Sequence, residues 1–290
     1  MRVKQDGGGE TSSAAENPSE IASGPGHKLL IPDSDAAINR PLIICFHGSG
    51  ESCSPAWDAL ARILTSEPHS LRVLLYERGP TNPKPLQATA ELREYLRREK
   101  LKGPYVLIGH SYGGLFARMF LEKEIKQVAG MVLVETGQET ALDPKIEKRQ
   151  YERHILDMRP LSVVRGNSFL RMWGQVRRAE EERPGQEVEL KKMLMTWEAA
   201  DEEMKKKQLD LAAENGIKRY VHIPDCGHDV VRDRPDVVAA EVAWVLENLD
   251  KGDRDENGNM KSEKERARET SGSLRRLWGE ISSWLFNRPK

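Results

Sequence analysis

The fold is decided by the stretch Tyr105-Val-Leu-Ile-Gly-His-Ser-Tyr-Gly-Gly114. Its first residues are apolar and typical of a buried strand, the pattern Gly-x-Ser-x-Gly follows directly, and a helix-forming segment begins at Gly114. A sharp turn from strand to helix pushes its central side chain, that of Ser111, out of the edge of the sheet. The glycines let strand and helix approach closely, and the helix N-terminus favours negative charge on a bound ligand. The stretch therefore predicts a nucleophile at Ser111.

Apolar runs alternate with amphipathic segments on both sides of this turn. The apolar runs predict strands at residues 41–46, 72–76, 105–108, 128–134, 161–164 and 220–223. The amphipathic segments predict helices at residues 56–64, 86–100, 114–124 and 235–249. Continuous apolar runs are typical of strands that are covered on both faces. The sequence thus predicts an α/β fold, with a mostly parallel β-sheet flanked by helices and a charged helical insertion at about residues 169–214.

The rest of the chain lies outside this predicted domain of residues 28–250. Residues 1–27 are rich in Gly, Ser, Ala, Glu and Pro and predict a disordered tail. Residues 251–290 predict a charged linker followed by an amphipathic helix, with Leu274, Leu277, Trp278 and Ile281 on one face. Such a face suits a peripheral membrane contact, a partner protein or docking on the domain, and these alternatives stay open.

The composition argues against several classes of protein. Charged residues make up 31% of the 290 residues, but the formal net charge is −1, so nucleic acid is not an expected partner. Cys45, Cys53 and Cys226 are too few and too scattered for a disulfide framework or a thiolate metal site. No apolar stretch approaches the roughly 18 residues that span a bilayer, and no signal-peptide core opens the chain. We therefore expect a cytoplasmic protein, with no metal site indicated.

Ser111 requires a base, since a serine hydroxyl is a weak nucleophile until its proton is accepted. Among the seven histidines, His228 follows the last predicted strand, in a loop that contains Pro and Gly. Parallel sheets bind ligands at this end of their strands. His228 is therefore the predicted base, whereas His222 lies inside the strand and is predicted to be a packed core residue.

An oxyanion hole requires two backbone N–H donors. Tyr112, the residue after the nucleophile, is predicted to supply one of them. The loop His47-Gly48-Ser49-Gly50 follows an early predicted strand, and its glycines allow the backbone to come close to a substrate oxygen. Ser49 is the predicted second donor, and Gly50 is the alternative.

Four motifs occur along the chain in a set order. They are His47-Gly48, Tyr76-Glu77-Arg78-Gly79, Gly109-His110-Ser111-Tyr112-Gly113-Gly114 and Asp225-Cys226-Gly227-His228. In this order they resemble the α/β-hydrolase superfamily, specifically its single-domain serine esterase- and lipase-like members. The resemblance covers roughly residues 28–250. It implies a mostly parallel sheet, Ser–acid–His catalysis on a small acyl substrate and no cofactor, but it does not name the substrate.

The third member of this triad has more than one candidate in the sequence. The family usually carries its acid after the strand that precedes the histidine's strand, but the segment Arg165-Gly166-Asn167-Ser168 has no carboxylate. One strand earlier, Glu135 follows the predicted strand, and some family members carry the acid there. Glu135 is therefore the predicted acid, Asp143 is the next candidate, and Asp201 in the insertion stays open. Asp225 and Asp229 flank His228 but are too near in sequence to face its ring easily.

The sequence thus predicts a serine hydrolase that cleaves an ester, thioester or lactone through an acyl-enzyme on Ser111. The missing carboxylate after residue 164 favours an alternative, a protein of the same fold with a lyase-like or ligand-binding role. Arg165 and Asn167 are predicted at the edge of the site, where they either orient substrate or hold the His228 loop. Trp57 and residues 173–197 are candidates for lining an acyl pocket.

Overall fold

The structure is a computed structural model that describes residues 19–22, 26–32, 35–78, 83–137, 142–182, 185 and 187–250. Within these residues, eight strands form one sheet. The strands are β1 (Ser19–Ala22), β2 (Lys28–Ile31), β3 (Leu42–Phe46), β4 (Val73–Tyr76), β5 (Tyr105–His110), β6 (Val128–Val134), β7 (Leu161–Arg165) and β8 (Lys218–His222).

The order of the strands across the sheet is β1-β2-β4-β3-β5-β6-β7-β8. The pairs β1–β2 and β2–β4 are antiparallel, and every other neighbouring pair is parallel. The predicted mostly parallel sheet is therefore confirmed. Strand β5 lies between β3 and β6, so the loop that follows each of these strands flanks the turn that carries Ser111. The topology alone thus places the predicted oxyanion loop on one side of the nucleophile and Glu135 on the other.

The two antiparallel strands at one edge were not predicted. Strand β1 pairs with β2 from Ser19 opposite Ile31 to Ala22 opposite Lys28. It lies within residues 1–27, for which the sequence predicted a disordered tail, so that prediction is wrong for residues 19–22. The remainder of the predicted tail, apart from residues 26 and 27, lies outside the described residues.

Helices cover both faces of the sheet. They are α1 (Asp58–Thr65), α2 (Pro85–Arg98), α3 (Gly113–Glu124), α4 (Pro144–Glu152), α5 (Leu170–Glu182), α6 (Val188–Lys207), α7 (Val230–Asp233) and α8 (Pro235–Glu247), with 3-10 helices at Asp35–Asn39 and Gln208–Leu211. Strand residues alternate between two buried clusters: Leu107 of β5 packs with residues of α2 and α3, and Ile108 packs with residues of α1 and α8. Because both faces of each central strand are buried, the strands appear in the sequence as continuous apolar runs.

The start of α3 packs tightly against the backbone of β3. A Cβ atom added at Gly113 would lie 2.0 Å from the carbonyl oxygen of Phe46 and 2.6 Å from that of His47. A side chain at position 113 would therefore push the helix away from the strand. The glycine thus allows the nucleophile turn and the loop after β3 to lie backbone against backbone.

The segment predicted as a helical insertion contains α5, α6 and the second 3-10 helix, between β7 and β8. Val176 of α5 and Leu194 of α6 are buried, whereas Met195 and Trp197 of α6 are exposed. The Phe169 and Trp197 rings lie 6.4 Å apart between centroids. None of the described helices combines the length and the apolarity needed to cross a membrane. The predicted linker and amphipathic helix of residues 251–290 lie outside the described residues.

Candidate active site

Ser111 lies immediately after β5 in a left-handed backbone conformation, with φ of 52°. A residue other than glycine is uncommon there, and such strain persists only where the surrounding structure holds it. Here the Ser111 N–H donates to the carbonyl oxygen of Val134 at 3.0 Å, and the Gly114 N–H donates to the Ser111 carbonyl at 3.1 Å. The turn therefore presents a half-buried Ser111 at the carboxyl edge of the sheet.

Glu135 repeats this geometry one strand further along the sheet. It lies immediately after β6 with φ of 48°, and its N–H donates to the carbonyl oxygen of Val164 at 2.8 Å. Neighbouring strands lie about 4.8 Å apart. Two consecutive parallel strands therefore end in the same strained turn, which places Ser111 and Glu135 side by side at one edge of the sheet.

The Glu135 carboxylate is the partner of His228. Its Oε2 atom lies 3.2 Å from His228 Nδ1 and accepts a hydrogen bond from Ser168 Oγ at 2.5 Å. Its Oε1 atom accepts from the Gly166 N–H at 2.7 Å and lies 3.4 Å from Lys205 Nζ. An ionised carboxylate only accepts hydrogen bonds, so the proton of a neutral His228 lies on Nδ1. The Nε2 atom is then left as the proton acceptor.

The charges around the pair keep Glu135 ionised. Burial would raise the pKa of Glu135, but hydrogen bonding to His228, the charge of Lys205 and the Ser168 hydroxyl outweigh it and lower the pKa to about 2. The same hydrogen bond, which His228 donates to Glu135, raises the pKa of His228 above its ordinary value, against the opposing effect of burial. The arrangement thus favours a carboxylate beside an imidazole of increased basicity.

The His228 loop is held beside the nucleophile turn. His110 Nε2 lies 3.0 Å from the carbonyl oxygen of His228, and the two rings lie 5.1 Å apart between centroids. On the other side, the Asn167 N–H donates to the carbonyl oxygen of Cys226 at 2.7 Å. Within the described residues no hydrogen bond joins the Ser111 hydroxyl to the His228 ring. Such contacts are often long in the absence of a substrate and shorten in the reactive complex.

Arg78 holds the predicted oxyanion loop. Its Nη2 atom donates to the carbonyl oxygens of His47 at 2.7 Å and Gly48 at 3.0 Å, and its guanidinium lies 4.0 Å from the centroid of the Phe116 ring. Burial lowers the pKa of Arg78 to about 10, so the side chain stays charged at neutral pH. Because C=O and N–H point in opposite directions across a trans peptide, fixing the Gly48 carbonyl also fixes the direction of the Ser49 N–H.

The other predicted oxyanion donor, the N–H of Tyr112, lies across the contact between the loop and α3. The Tyr112 N–H stands at the start of α3, where backbone N–H groups have no partner within the helix. Since the Gly113 backbone abuts the carbonyls of Phe46 and His47, the Ser49 and Tyr112 segments are close neighbours. The arrangement suits two N–H donors that converge on one substrate oxygen.

The comparisons with known proteins agree with this architecture. A sequence profile of the alpha/beta hydrolase family matches residues 43–241, more than half of the chain. The chain belongs to this family. The match runs from the strand before the predicted oxyanion loop to beyond His228, so all the predicted site residues of this alpha/beta hydrolase lie within it.

The chain is also similar to solved structures of hydrolases. A serine hydrolase involved in carbazole degradation, the CarC enzyme, is 13% identical and aligns over 76% of this chain and 94% of its own, with a TM-score of 0.50. Dienelactone hydrolase from Anabaena variabilis is 16% identical and aligns over 80% of this chain and 98% of its own, with a TM-score of 0.49. At these identities the likeness concerns the fold of the alpha/beta hydrolase and not its substrate.

A curated relative is much longer than this chain. The probable transporter efuK of Hormonema carpetanum is 23% identical over an alignment of length 283. This alignment covers 72% of this chain. The alignment covers 40% of that protein, so the chain spans less than half the length of this relative.

The other carboxylates considered as the acid of this alpha/beta hydrolase do not contact the His228 ring. Asp143 caps α4 by accepting from the Lys145 N–H at 2.8 Å. Asp201 pairs with Arg165 and Lys205, and Asp229 pairs with Arg232 at 2.7 Å. Asp225 is exposed on the loop before His228. Among the described carboxylates, Glu135 is therefore the one that the structure brings into hydrogen-bonding distance of the His228 ring.

Two further expectations from the sequence are wrong. His222 is exposed at the end of β8 and is not a packed core residue, because β8 is an edge strand whose side chains are partly open to solvent. Trp57 is fully buried in the cluster between the sheet and α1 and α8, so it does not line an acyl pocket. Both errors arise because a short sequence pattern does not reveal which strand is at the edge or which way a loop turns.

A group of potential metal ligands includes His47, the first residue of the predicted oxyanion loop. Nitrogen, sulfur and oxygen atoms of His47, Cys53 and Glu77 lie within 4.8 Å of one another. Each is already engaged: His47 Nε2 lies 3.1 Å from Glu77 Oε1, and Cys53 Sγ lies 3.6 Å from the carbonyl oxygen of Tyr76. The buried Arg78 guanidinium next to His47 would also repel a cation. These side chains therefore support the loop and do not fit a metal site.

Sequence reasoning missed three polar residues that the site contains. Ser168 contacts both Glu135 and His228, Lys205 contacts Glu135, and Arg78 binds the oxyanion loop. Arg78 belongs to a motif that carried the family resemblance, so its position in the sequence was a usable signal. Ser168 stands in the segment after β7 where the family usually carries its acid, so its position was a signal as well. Lys205 offered none, because its contact depends on how α6 of the insertion packs against the sheet.

Replacing Arg78 by methionine is expected to lower kcat about 10- to 100-fold with a small change in KM. The Met side chain still packs on Phe116 but no longer fixes the carbonyl of Gly48, so the Ser49 N–H loses the fixed direction that a predicted oxyanion donor requires. Steady-state kinetics on a short-chain ester checks this. Arg72→Met is the matched control, because Arg72 flanks the same strand and also donates to a backbone carbonyl, that of Arg40, at 3.1 Å. Equal loss of kcat in both variants contradicts the assigned role of Arg78.

Proposed function

We propose that this protein is a serine hydrolase that cleaves a carboxylic ester, thioester or lactone. The observation that carries the proposal is the contact of the buried Glu135 carboxylate with His228 Nδ1, next to a strained serine at the end of the adjacent strand. Burying a carboxylate is costly unless it is paired, so its place beside a histidine in the nucleophile's neighbourhood indicates a catalytic arrangement.

In the proposed reaction, Ser111 Oγ attacks the acyl carbonyl while His228 Nε2 accepts the hydroxyl proton. Glu135 keeps the proton of His228 on Nδ1 before attack and stabilises the imidazolium afterwards. The N–H groups of Ser49 and Tyr112 stabilise the oxyanion. The tetrahedral intermediate then collapses, and the imidazolium gives its proton to the departing alkoxide or thiolate, which becomes an alcohol or a thiol. An ester remains on Ser111, and in the case of a lactone the new hydroxyl stays attached to the acyl group. Water adds to this ester with His228 again accepting a proton, and the acid departs from a restored Ser111.

The pH dependence follows from the state of His228. The base acts in its neutral form, so the rate rises as pH increases through the pKa of His228. Hydrogen bonding to Glu135 raises that pKa, which places the acid limb of the profile above the ordinary histidine value of 6.5. Glu135 itself is ionised throughout this range, because its pKa is about 2.

Labelling with a fluorophosphonate and mapping of the modified peptide by mass spectrometry test the proposal. We expect stoichiometric modification of Ser111 and none of the other serines. A panel of short-chain p-nitrophenyl esters, thioesters and lactones then identifies the preferred leaving group. A folded protein that does not react with the probe, or that reacts at another residue, overturns the proposal.

The non-hydrolytic alternative has lost the feature that favoured it. That feature was the absence of a carboxylate after β7, and the neighbouring strand supplies one through Glu135, while Ser168 after β7 donates to this carboxylate. We therefore keep a single proposed function.

A further inference from the structure

Helix α6 of the insertion carries a buried lysine. The Lys205 side chain is 3% exposed, whereas the adjacent Lys206 is 54% exposed. A lysine is rarely buried unless a charge partner holds it. The Lys205 ammonium lies 3.4 Å from Glu135 Oε1, whereas His228 contacts Oε2 of the same carboxylate, and Lys205 also pairs with Asp201 of the same helix.

The ammonium group is part of a row of alternating charges that ends at His228. Arg165 at the end of β7 donates to Asp201 at 3.0 Å and to the backbone oxygen of Glu198 at 3.2 Å, which fastens α6 to the edge of the sheet. Asp201 binds Lys205, Lys205 faces Glu135, and Glu135 binds His228. The contacts of Glu135 thus include a side chain of α6, a helix of the insertion between β7 and β8.

We propose that Lys205 is a positioning residue of the catalytic triad, whose ammonium group holds Glu135 as a carboxylate and limits the basicity of His228. The proposal rests on the proposed function, since it assigns a role through Glu135 and His228. Lys205 does not touch the reacting atoms. Its cation competes with the imidazolium for the negative charge of Glu135, so removing it makes His228 more basic.

The groups that face His228 come from several elements. Glu135 follows β6, Lys205 lies on α6, His110 ends β5 with its ring 5.1 Å away, and Asp229 is the next residue of the loop. Glu135 and Asp229 raise the pKa of His228, and Lys205 lowers it. Lys205 is therefore the cation that opposes protonation of the base.

Lys205→Met tests the proposal, because methionine keeps most of the buried length and removes the charge. The second-order rate of fluorophosphonate labelling is measured from about pH 5 to about pH 9, the range in which histidine titrates. We expect the acid limb of K205M to move to higher pH. At about pH 6 the variant should then react roughly three- to tenfold more slowly than the wild type, relative to its own plateau at high pH.

Lys206→Met is the matched control, since it removes a lysine from the next position of the same helix, where the ammonium pairs with Glu202 and not with Glu135. We expect its acid limb to match that of the wild type. A limb that moves as far in K206M as in K205M overturns the proposal, because the effect then reflects the general charge of the helix.

Asp201→Asn distinguishes a charge effect from loss of structure. This change removes an anion next to Lys205 and leaves the ammonium in place, so the surroundings of Glu135 become more positive. We expect the acid limb to move to lower pH, opposite to K205M. Shifts of the two variants in the same direction, or an unshifted limb in K205M, overturn the proposal. If K205M does not fold, the direction of the shift in D201N decides.

A readout that does not depend on reactivity separates this proposal from the proposed function. The imidazole of His228 is titrated by nuclear magnetic resonance in the wild type, K205M and D201N, with the signal assigned from His228→Gln. A wild type that does not label at Ser111 contradicts the proposed function alone. The His228 titration then still decides whether Lys205 sets its basicity, with the same directions expected.

Discussion

Replacing Ser111 by alanine is expected to abolish fluorophosphonate labelling and to lower ester hydrolysis by about 10⁴-fold or more. In the proposed reaction this hydroxyl forms the acyl-enzyme, so the variant lacks the group that attacks the substrate. The remaining rate reflects only binding and the oxyanion donors. Initial rates on the preferred substrate, measured with enzyme purified from a host that lacks background esterase, check this value.

Ser70→Ala is the matched control, since Ser70 is another serine in the left-handed conformation, with φ of 45°, in the segment before β4. The Ser70→Ala variant should react with the fluorophosphonate and hydrolyse the ester at the wild-type rates. Ser111→Gly adds a second check, because glycine adopts φ of 52° without strain and should raise the free energy of unfolding by up to about 1 kcal/mol while activity is lost. Hydrolysis within about tenfold of wild type in either Ser111 variant would falsify the nucleophile assignment.

The parallel part of the sheet was predictable because its strands are buried on both faces. Residues 105–108, for example, form a continuous apolar run, and each side chain contacts helices whichever face it points to. The antiparallel strands β1 and β2 were not predicted. They contain four residues each, as β4 does, but β1 mixes Ser and Glu with Ile and Ala and has no continuous apolar run like that of β4.

Some residues of the candidate site could be predicted from the sequence and others could not. Ser111 and Glu135 follow directly on buried strands, and His228 lies in the loop after the last predicted strand, so the strand pattern and chain order were enough to propose them. Lys205 could not be proposed in this way. It is followed by Lys206 and Lys207 on one helix, and only the direction in which α6 packs decides which of the three ammonium groups enters the site. Successive helical residues point about 100° apart, so at most one of them faces the sheet.

Replacing Glu135 by glutamine is expected to lower kcat by about 10³- to 10⁴-fold. The amide still accepts from the Gly166 N–H through Oε1, but its NH₂ group then faces Ser168 and His228 Nδ1. An NH₂ group donates, so Nδ1 must become the acceptor and the ring proton moves to Nε2. In this tautomer His228 has no lone pair for the proton of Ser111. Steady-state kinetics, with thermal unfolding as a check of the fold, measure the effect.

Glu241→Gln is the matched control for this change. Glu241 is also buried, accepts from a serine hydroxyl, that of Ser162, at 2.7 Å, and pairs with a cation, Arg219, at 3.1 Å. It lies on α8, away from His228. The E241Q variant should lose stability comparably and keep its kcat. An E135Q variant that keeps activity to within about tenfold would instead assign the acid to another carboxylate.

A second substitution tests the geometry of the acid itself. Ser168 Oγ lies 3.2 Å from His228 Nδ1, in the loop after β7 where the family usually carries the acid. An aspartate at this position in the E135Q background places a carboxylate within reach of Nδ1 and restores the tautomer with Nε2 free. We expect kcat of the double variant E135Q/S168D to be roughly tenfold higher than kcat of E135Q, or more. Recovery would show that His228 requires a carboxylate at Nδ1 and accepts it from either of two adjacent strands. A folded double variant with no recovery would argue that Glu135 acts through its own contacts to Gly166 and Lys205 and not through His228 alone.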